Sequence, residues 1–467
     1  MSFKGRRWVK LAIAVIFLLS AGFWFLKRYC GGERKNWNVL LITVDALRAD
    51  HLGCYGYGKD ITPHIDKLAK GGALFQNAVS QGPFTAPSLP SLMTSTYGYV
   101  HGVRGFGDML NPSLKTLAEI LREEGYLTGA VCAIDFFLDI LGLKRGFQWV
   151  STGDDKRADW ITEEAMGWIK ENKNRRFFLW IHYFDPHQPY DPPPDIKREV
   201  RKEVSRPSSP LLPVVKKDPR DPDIYGAFGG ISEKAVIEGR RDKEFYLALY
   251  DGEVKFVDRE IGRLIKFLKE SGLLSQTFII LTADHGEAFG EHNLYFTHGH
   301  ILYEEILHVP LILYGEGVIP EGKVITEVVG LIDILPTVLD FLGIKSRGRI
   351  EGKSLLPVVL KGKAYPSRII YAELWEKEED GRRLISVRKG DWKLIYNVEK
   401  NTYQLYNLKE DPKEVRNLAG EEKKKFKELR KFINKYLTRR KKYGYKGKEK
   451  ELEEEIKEKL KGLGYLQ

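Results

Sequence analysis

Three apolar runs in this chain each end on a side chain able to hold a metal or move a proton. Asn38–Val44 (NVLLITV) ends at Asp45, residues 177–181 (FFLWI) end at His182, and residues 277–281 (TFIIL) end just before Asp284 and His285. Taken singly, an aspartate after a strand has a structural use, because it can cap the helix that follows. Together, two carboxylates and an imidazole form a mixed oxygen and nitrogen set that suits a divalent cation. A fourth segment, residues 81–95 (QGPFTAPSLPSLMTS), carries Thr85 two residues before Pro87. Proline there suits the first turn of a helix, with Leu89, Leu92 and Met93 on one face. Thr85 can serve as a plain N-cap. The same position also lets backbone N–H groups stabilise an attacking alkoxide and an anionic ester, and a bound metal would lower the hydroxyl's pKa.

The elements that must position these groups are strands and intervening helices. Continuous β-branched and leucine runs read as strands buried on both faces. Helical stretches at 114–124 and 245–271 separate them, which predicts an α/β fold: a mostly parallel sheet flanked by helices. Such sheets bind ligands beyond the carboxyl ends of their strands, where Asp45, His182, Asp284 and His285 fall. Residues 186–230 are rich in proline and charge without apolar periodicity, as expected of a lid or a disordered insertion. From about residue 363 the texture changes to short antiparallel strands (368–373, 384–388, 392–396 and 403–408), followed by a helix over 421–436. The expected organisation is an anchor and linker over 1–36, a catalytic domain over 37–362, a small C-terminal α+β subdomain over 363–437 and a charged tail over 438–467, whose Lys/Glu run at 439–460 reads as an exposed helix.

The net charge of +11 comes from 75 basic and 64 acidic side chains. Both signs are interspersed, which reads as a solvated Lys/Glu surface and not as a nucleic-acid footprint. Cys30, Cys54 and Cys132 form neither a disulfide framework nor a metal-ligand spacing. Residues 11–26 are uncharged and apolar, with basic residues on both sides. As a helix this run spans about 24 Å against a hydrocarbon core of roughly 30 Å, and Trp8, Val9 and Tyr29 extend it. Phe23, Trp24 and Phe25 continue the run past Ser20 and Gly22, the small residues near which a signal peptide would be cut. An uncleaved single-pass membrane anchor with an extracytoplasmic catalytic domain is therefore expected, with a cleaved signal peptide as the alternative.

The ordered runs NVLLITVDALRADHLGCYGY, TAPSLPSLMT, HYFDPHQPY and TADHGEAFGEH…THGHILYEEILHVPLI resemble the sulfatases of the alkaline phosphatase superfamily, from about residue 38 to 343. RKGDWKLIYN…YQLYNLKEDPKEVRNLAG is similar to that family's small C-terminal domain. The resemblance implies an alkaline-phosphatase-like fold. It also implies that Asp45, Asp284 and His285 ligate metal, and that Thr85 holds the nucleophile position and a metal ligand site. His187 matches a histidine near the substrate. His298 stands where many members carry an anion-binding lysine, and His182 lies near the same loop. Several residues depart from the pattern. Sulfatases convert Cys or Ser at the nucleophile position to formylglycine, which threonine cannot supply. Leu89 replaces the arginine of the C/S-x-P-S-R signature, Ala46 replaces a second aspartate, and AVCAIDFF stands where a lysine–histidine motif is expected.

The expected activity is metal-dependent hydrolysis of sulfate or phosphate esters. The alternatives are a membrane-anchored transferase acting on lipid or glycan acceptors, and an inactive binding protein. The cofactor is a divalent cation, with Ca²⁺, Mg²⁺, Mn²⁺ and Zn²⁺ all compatible. The expected partners are an anionic ester, on a glycan or lipid, and the membrane.

Overall fold

The computed structural model describes residues 34–462, apart from 135–136, 154–155, 208–209, 216–225, 347, 364, 366–367, 377–380, 446 and 448–451. The apolar run at 11–26 lies outside these residues. Among the described residues no helix is long and apolar enough to cross a membrane.

The apolar runs form the centre of a nine-stranded sheet. Its strands are β1 (Asn38–Val44), β2 (Ala73–Val79), β3 (Leu127–Cys132), β4 (Trp149–Thr152), β5 (Phe177–Tyr183), β6 (Thr277–Ala283), β7 (His308–Val309), β8 (Leu311–Tyr314) and β9 (Lys323–Gly330). Their spatial order is β7-β2-β8-β6-β1-β5-β3-β4, with β9 also pairing β2. β1 lies parallel to both β5 and β6, and β3 parallel to both β4 and β5. Every residue of β1, β5 and β6 is buried. A strand covered on both faces cannot alternate apolar with polar, which is why these runs read as continuous.

β8 is antiparallel to both β6 and β2. β2 therefore runs in the same direction as β6, β1 and β5. The four chain segments bearing Thr85, Asp284–His285, Asp45 and His182 thus leave the same edge of the sheet. Helix α1 (Thr85–Thr94) follows β2. The long helix α2 (Lys243–Glu270) packs on the Ala158–Asn172 helix.

A four-stranded antiparallel meander forms the C-terminal subdomain: β10 (Ile370–Trp375), β11 (Arg383–Lys389), β12 (Trp392–Asn397) and β13 (Thr402–Asn407). Helix α3 (Lys423–Tyr443) lies on it and buries Leu429, Ile433 and Tyr436.

Two sequence expectations change. The helix expected to end at 436 runs through Tyr443, and the helix expected over 439–460 is divided, its second part being Glu454–Gly462. Tyr436 is buried among Tyr97, Tyr99 and Tyr371. One turn later Arg440 pairs with Glu373 at 2.6 Å and stacks 3.5 Å from the Trp375 ring centre, which carries the helix onward. The proline-rich segment after residue 186 also contains a helix, Pro194–Glu203, which buries Ile196 and Val200. Two apolar residues four apart are too few to show as periodicity but enough to seat one helical face.

Candidate active site

Asp45, Asp284 and His285 converge at the sheet edge. One ligand atom from each lies within 4.8 Å of the others, and all three residues are buried. The turn after β1 is held from above and below. Ala46 adopts a left-handed backbone at φ 52°, which costs an L-residue roughly 1–2 kcal/mol. Tyr250 of α2 pins it: its hydroxyl donates to the Ala46 carbonyl at 2.8 Å and accepts the Arg48 N–H at 2.9 Å.

His285 donates Nδ1–H to the Gly286 carbonyl at 2.9 Å. Its Nε2 therefore carries the lone pair, the tautomer a metal ligand needs. That nitrogen faces Asp45 Oδ1 at 3.1 Å and Asp284 Oδ2 at 3.6 Å. These atoms tolerate one another only with a proton on Nε2 or a cation in its place. Asp45 Oδ1 and Asp284 Oδ2 are buried with no hydrogen-bond donor. This donor set fits a divalent cation on charge and on chemistry.

The titration of the groups reflects the same crowding. Burial disfavours the Asp45 carboxylate, but the imidazoles of His187, His182 and His285 outweigh it and hold the group well below the usual range. Burial and the Asp45 charge raise Asp284. Burial would lower His285, yet Asp284 and Asp45 push it up to about 9.

Thr85 is not the N-cap. Phe84 occupies that position without a side-chain cap, and Thr85 is the first helical residue. Its buried hydroxyl instead points into the acidic cluster, 3.5 Å from Asp45 Oδ2 and 3.3 Å from His285 Nε2. Leu89, standing in place of the signature arginine, is buried in the core and brings no charge to the site.

Helix α1 is secured along its length. Ser88 donates to the Asp284 carbonyl at 2.6 Å, tying the helix to the metal-ligand turn. Further along, Val103 N–H donates to His101 Nδ1 at 3.2 Å, so the proton sits on Nε2, which contacts Ser91 Oγ at 2.9 Å. Ser91 in turn donates to the Pro87 carbonyl at 2.8 Å.

Three further histidines complete the wall. His182 pairs in register with Thr43. Trp180 donates its indole N–H to Thr43 Oγ1 at 2.9 Å, and Thr43 contacts His182 Nδ1 at 2.8 Å. A second acceptor for the Thr43 hydroxyl, the Ile181 carbonyl, lies at 3.4 Å. The shorter contact places the threonine proton on the Nδ1 side and the imidazole proton on Nε2. That Nε2 is buried, lacks a hydrogen-bond acceptor, and lies 3.6 Å from Asp45 Oδ2. His187 donates Nδ1–H to the Gln188 carbonyl at 2.7 Å, and burial pushes it down to about 4. His298 lies between its neighbours, with ring centres 4.2 Å from His285 and 5.0 Å from His187.

All seven residues expected from the sequence thus meet at one edge. The sequence reading missed Thr43, Tyr250, Gln188 and Glu287. Glu287 is buried, reaches His298 Nδ1 at 3.4 Å, and is pushed up to about 7 by burial. Gln188 donates to the Phe296 carbonyl, fastening the His187 loop to the strand before His298. A carboxylate two residues after His285 was the one signal available for Glu287. The others sit inside a strand, a helix or a loop with nothing to mark them.

The profile of the sulfatase family matches residues 37–344, and that of the N-sulphoglucosamine sulphohydrolase C-terminal region matches 290–443. An arylsulfatase of Clostridium perfringens is 28% identical, over 86% of this chain and 95% of its own length. Two solved structures share the fold at 21% identity. One is a protein in complex with its substrate D-glucosamine-2-N,6-O-disulfate (TM-score 0.72, covering 87% of this chain and 98% of that one). The other is the phosphonate monoester hydrolase of Agrobacterium radiobacter (TM-score 0.70, covering 87% and 96%). The profile spans well over half of the chain, and the chain belongs to the sulfatase family, as a hydrolase of sulfuric or phosphoric esters.

Proposed function

We propose that Thr85, unmodified, is the nucleophile of a metal-dependent hydrolase that turns over phosphoesters better than sulfate esters. The observation that carries this reading is the Thr85 hydroxyl at the start of α1, in contact with both Asp45 and His285. Asp45, Asp284, His285 and Thr85 would hold the divalent cation. When bound, the cation neutralises charge on the ester oxygens and lowers the pKa of the attacking hydroxyl.

The hydroxyl donates to Asp45 Oδ2, so its proton has an acceptor in direct contact. The N-terminal dipole of α1 favours both the alkoxide and the anionic ester. His182 offers Nε2–H to charge developing on the ester. The leaving oxygen needs a proton, and the one that Thr85 gives up is carried to it by an imidazole of this wall that is neutral at rest. His187, with Nδ1–H held by Gln188, exchanges protons at Nε2, and His298 stands with it as a substrate-binding group.

The preference for phosphorus follows from threonine itself. A formylglycine hydrate can expel a bound sulfate. A threonine ester must be cleared by a second displacement at the bound group, which phosphorus accepts more readily than sulfur. Leu89 in place of arginine removes one cation that would hold sulfate. The relatives that act on sulfated sugars and on phosphonate monoesters support an anionic ester substrate, a glycan ester among them. We further place the catalytic domain outside the cytoplasm, held by residues 11–26 at the cell membrane. Protection of residues from 38 onward against protease added to intact cells would refute that orientation.

Thr85→Ala should lower kcat by at least a thousandfold, whereas loss of a helix cap alone would cost about 1 kcal/mol of stability. Aryl sulfates, phosphate monoesters, phosphodiesters and phosphonates should be assayed side by side across metals. Near-normal turnover by Thr85→Ala overturns the assignment. So does a preference for aryl sulfates while mass spectrometry shows intact threonine.

A further inference from the structure

Helix α1 has two ends. Thr85 opens it in the active site, and Thr94, about 14 Å away along the axis, lines a different hollow on the seam with the C-terminal subdomain. That hollow has a volume of about 310 Å³ and is lined by Asn111, Ser113, Lys115, Arg349 and Tyr443 among others. A second hollow of about 650 Å³ is lined by Arg349, Ile350 and Tyr443 as well. The two hollows therefore adjoin at these side chains, and together they are called the groove. Both volumes fall among those of ligand sites, about 300–1,000 Å³.

The larger hollow is lined by five basic side chains and a single carboxylate, Glu351. Two of the five are neutralised: Arg368 pairs with buried Asp333, and Arg349 with Glu351 at 3.1 Å. Lys353, Lys435 and Arg439 are exposed, and among the described residues no carboxylate pairs with them. Lys435, Arg439 and Tyr443 recur every fourth residue on α3, so they share one face of the helix. Aromatic rings line the same groove. Tyr97 and Tyr371 are buried in its wall, Phe432 is half-buried, and Tyr443 is 51% exposed where the hollows adjoin.

We infer that this groove binds a linear polyanionic glycan, a sugar chain bearing repeated sulfate or phosphate groups, at a site separate from the catalytic centre. The cations are spaced along the groove, which matches charges repeated along a chain. The exposed Tyr443 ring and the half-buried Phe432 offer apolar faces of the kind that sugar rings stack on. The inference rests on the ester-hydrolase reading only for the kind of polymer that would present its esters to Thr85. Binding in the groove would hold such a polymer while its esters are cleaved at the other end of α1.

Size-defined dextran sulfate is the probe, with neutral dextran, phosphatidylglycerol vesicles and single-stranded DNA in parallel. The full-length, metal-loaded protein should bind dextran sulfate without raising KM for a small aryl ester. The triple variant Lys353→Glu/Lys435→Glu/Arg439→Glu should bind at least tenfold more weakly. Its salt dependence should fall by roughly one per cation removed, and turnover of the small ester should stay within twofold. Tyr443→Ala, at an exposed position, should weaken binding a few-fold with the salt dependence unchanged, and this readout stands even if the triple variant fails to fold. Binding by the triple variant within twofold of the wild type overturns the inference. So does equal binding of neutral dextran, or tighter binding of the vesicles or DNA through the same residues. If dextran sulfate binds as expected but no ester is turned over, the groove stands and the proposed function fails.

Discussion

Two of the places where this molecule buries charge are built on opposite terms. At the seam between catalytic domain and C-terminal subdomain, Glu304 meets Arg388 at 2.5 Å and Lys393 at 2.9 Å, and Lys393 also meets Glu414 at 3.0 Å. Glu414 accepts the Glu304 N–H at 2.6 Å, and its carbonyl contacts His292 at 3.2 Å. Cations and carboxylates answer each other there. In the active centre no lysine or arginine among the described residues faces the carboxylates, and buried atoms of Asp45, Asp284 and His182 lack hydrogen-bond partners. Burying an unanswered charge costs several kcal/mol. The seam spends its charges on holding two pieces together, whereas the centre keeps its charges unanswered so that a ligand can answer them.

Removing charge from the two places should therefore have opposite consequences. The largest effect is expected from Asp284→Asn/His285→Ala. Bound metal by elemental analysis should vanish and turnover should drop by at least a thousandfold. Circular dichroism should be unchanged, because side chains at a strand end serve the site more than the core. Full metal occupancy in this variant would break the comparison from the active-site side.

Next is Glu304→Gln, which leaves Arg388 without a carboxylate and Lys393 with Glu414 alone. Breaking a buried pair from one side costs about 3–5 kcal/mol, so the midpoint of denaturant unfolding should fall clearly. The folded fraction should still bind metal. Stability within 1 kcal/mol of the wild type would show that the seam's charges are not what joins the parts.

The smallest effect sharpens the comparison with a buried group that is answered only while neutral. His101 is pushed down to about 3, first by burial and then by Arg104 and Arg440. Its Nδ1 is occupied by the Val103 N–H. The unfolded chain protonates near pH 6.5 and the folded one only near 3. The stability from His101 is therefore complete above about pH 6.5 and is lost as pH falls towards 3, at up to about 1.4 kcal/mol per unit. Thermal melts from pH 7 to 4 should show His101→Asn less acid-sensitive than the parent chain. An identical slope would remove His101 as the cause.

The active centre was far more legible in the sequence than the seam, for a physical reason. A strand buried on both faces announces itself as an apolar run, and its carboxyl end is where a parallel sheet binds ligands. Asp45, His182, Asp284 and His285 could therefore be placed from chain position alone. Thr85 was legible as the opening of a helix, but its escape from capping was not, because Phe84 takes that place through backbone geometry. The seam depends on Glu304, Lys393 and Glu414, which are dispersed among many ordinary surface-type Lys and Glu residues. Nothing local distinguishes a lysine that will be buried from one that will be solvated. Thr43 was hidden for the opposite reason: inside an apolar strand it reads as filler, and only the register with His182 shows its use.

Glu414 caps the chain just after His298, yet it lies beyond every residue assigned to catalysis. On the ribosome, all of the reacting groups emerge before the residue that fixes the segment behind them. The growing chain thus carries every proposed catalytic side chain before the Glu414 contact at the Glu304 N–H can form, and a chain stopped short of residue 414 would lack that contact.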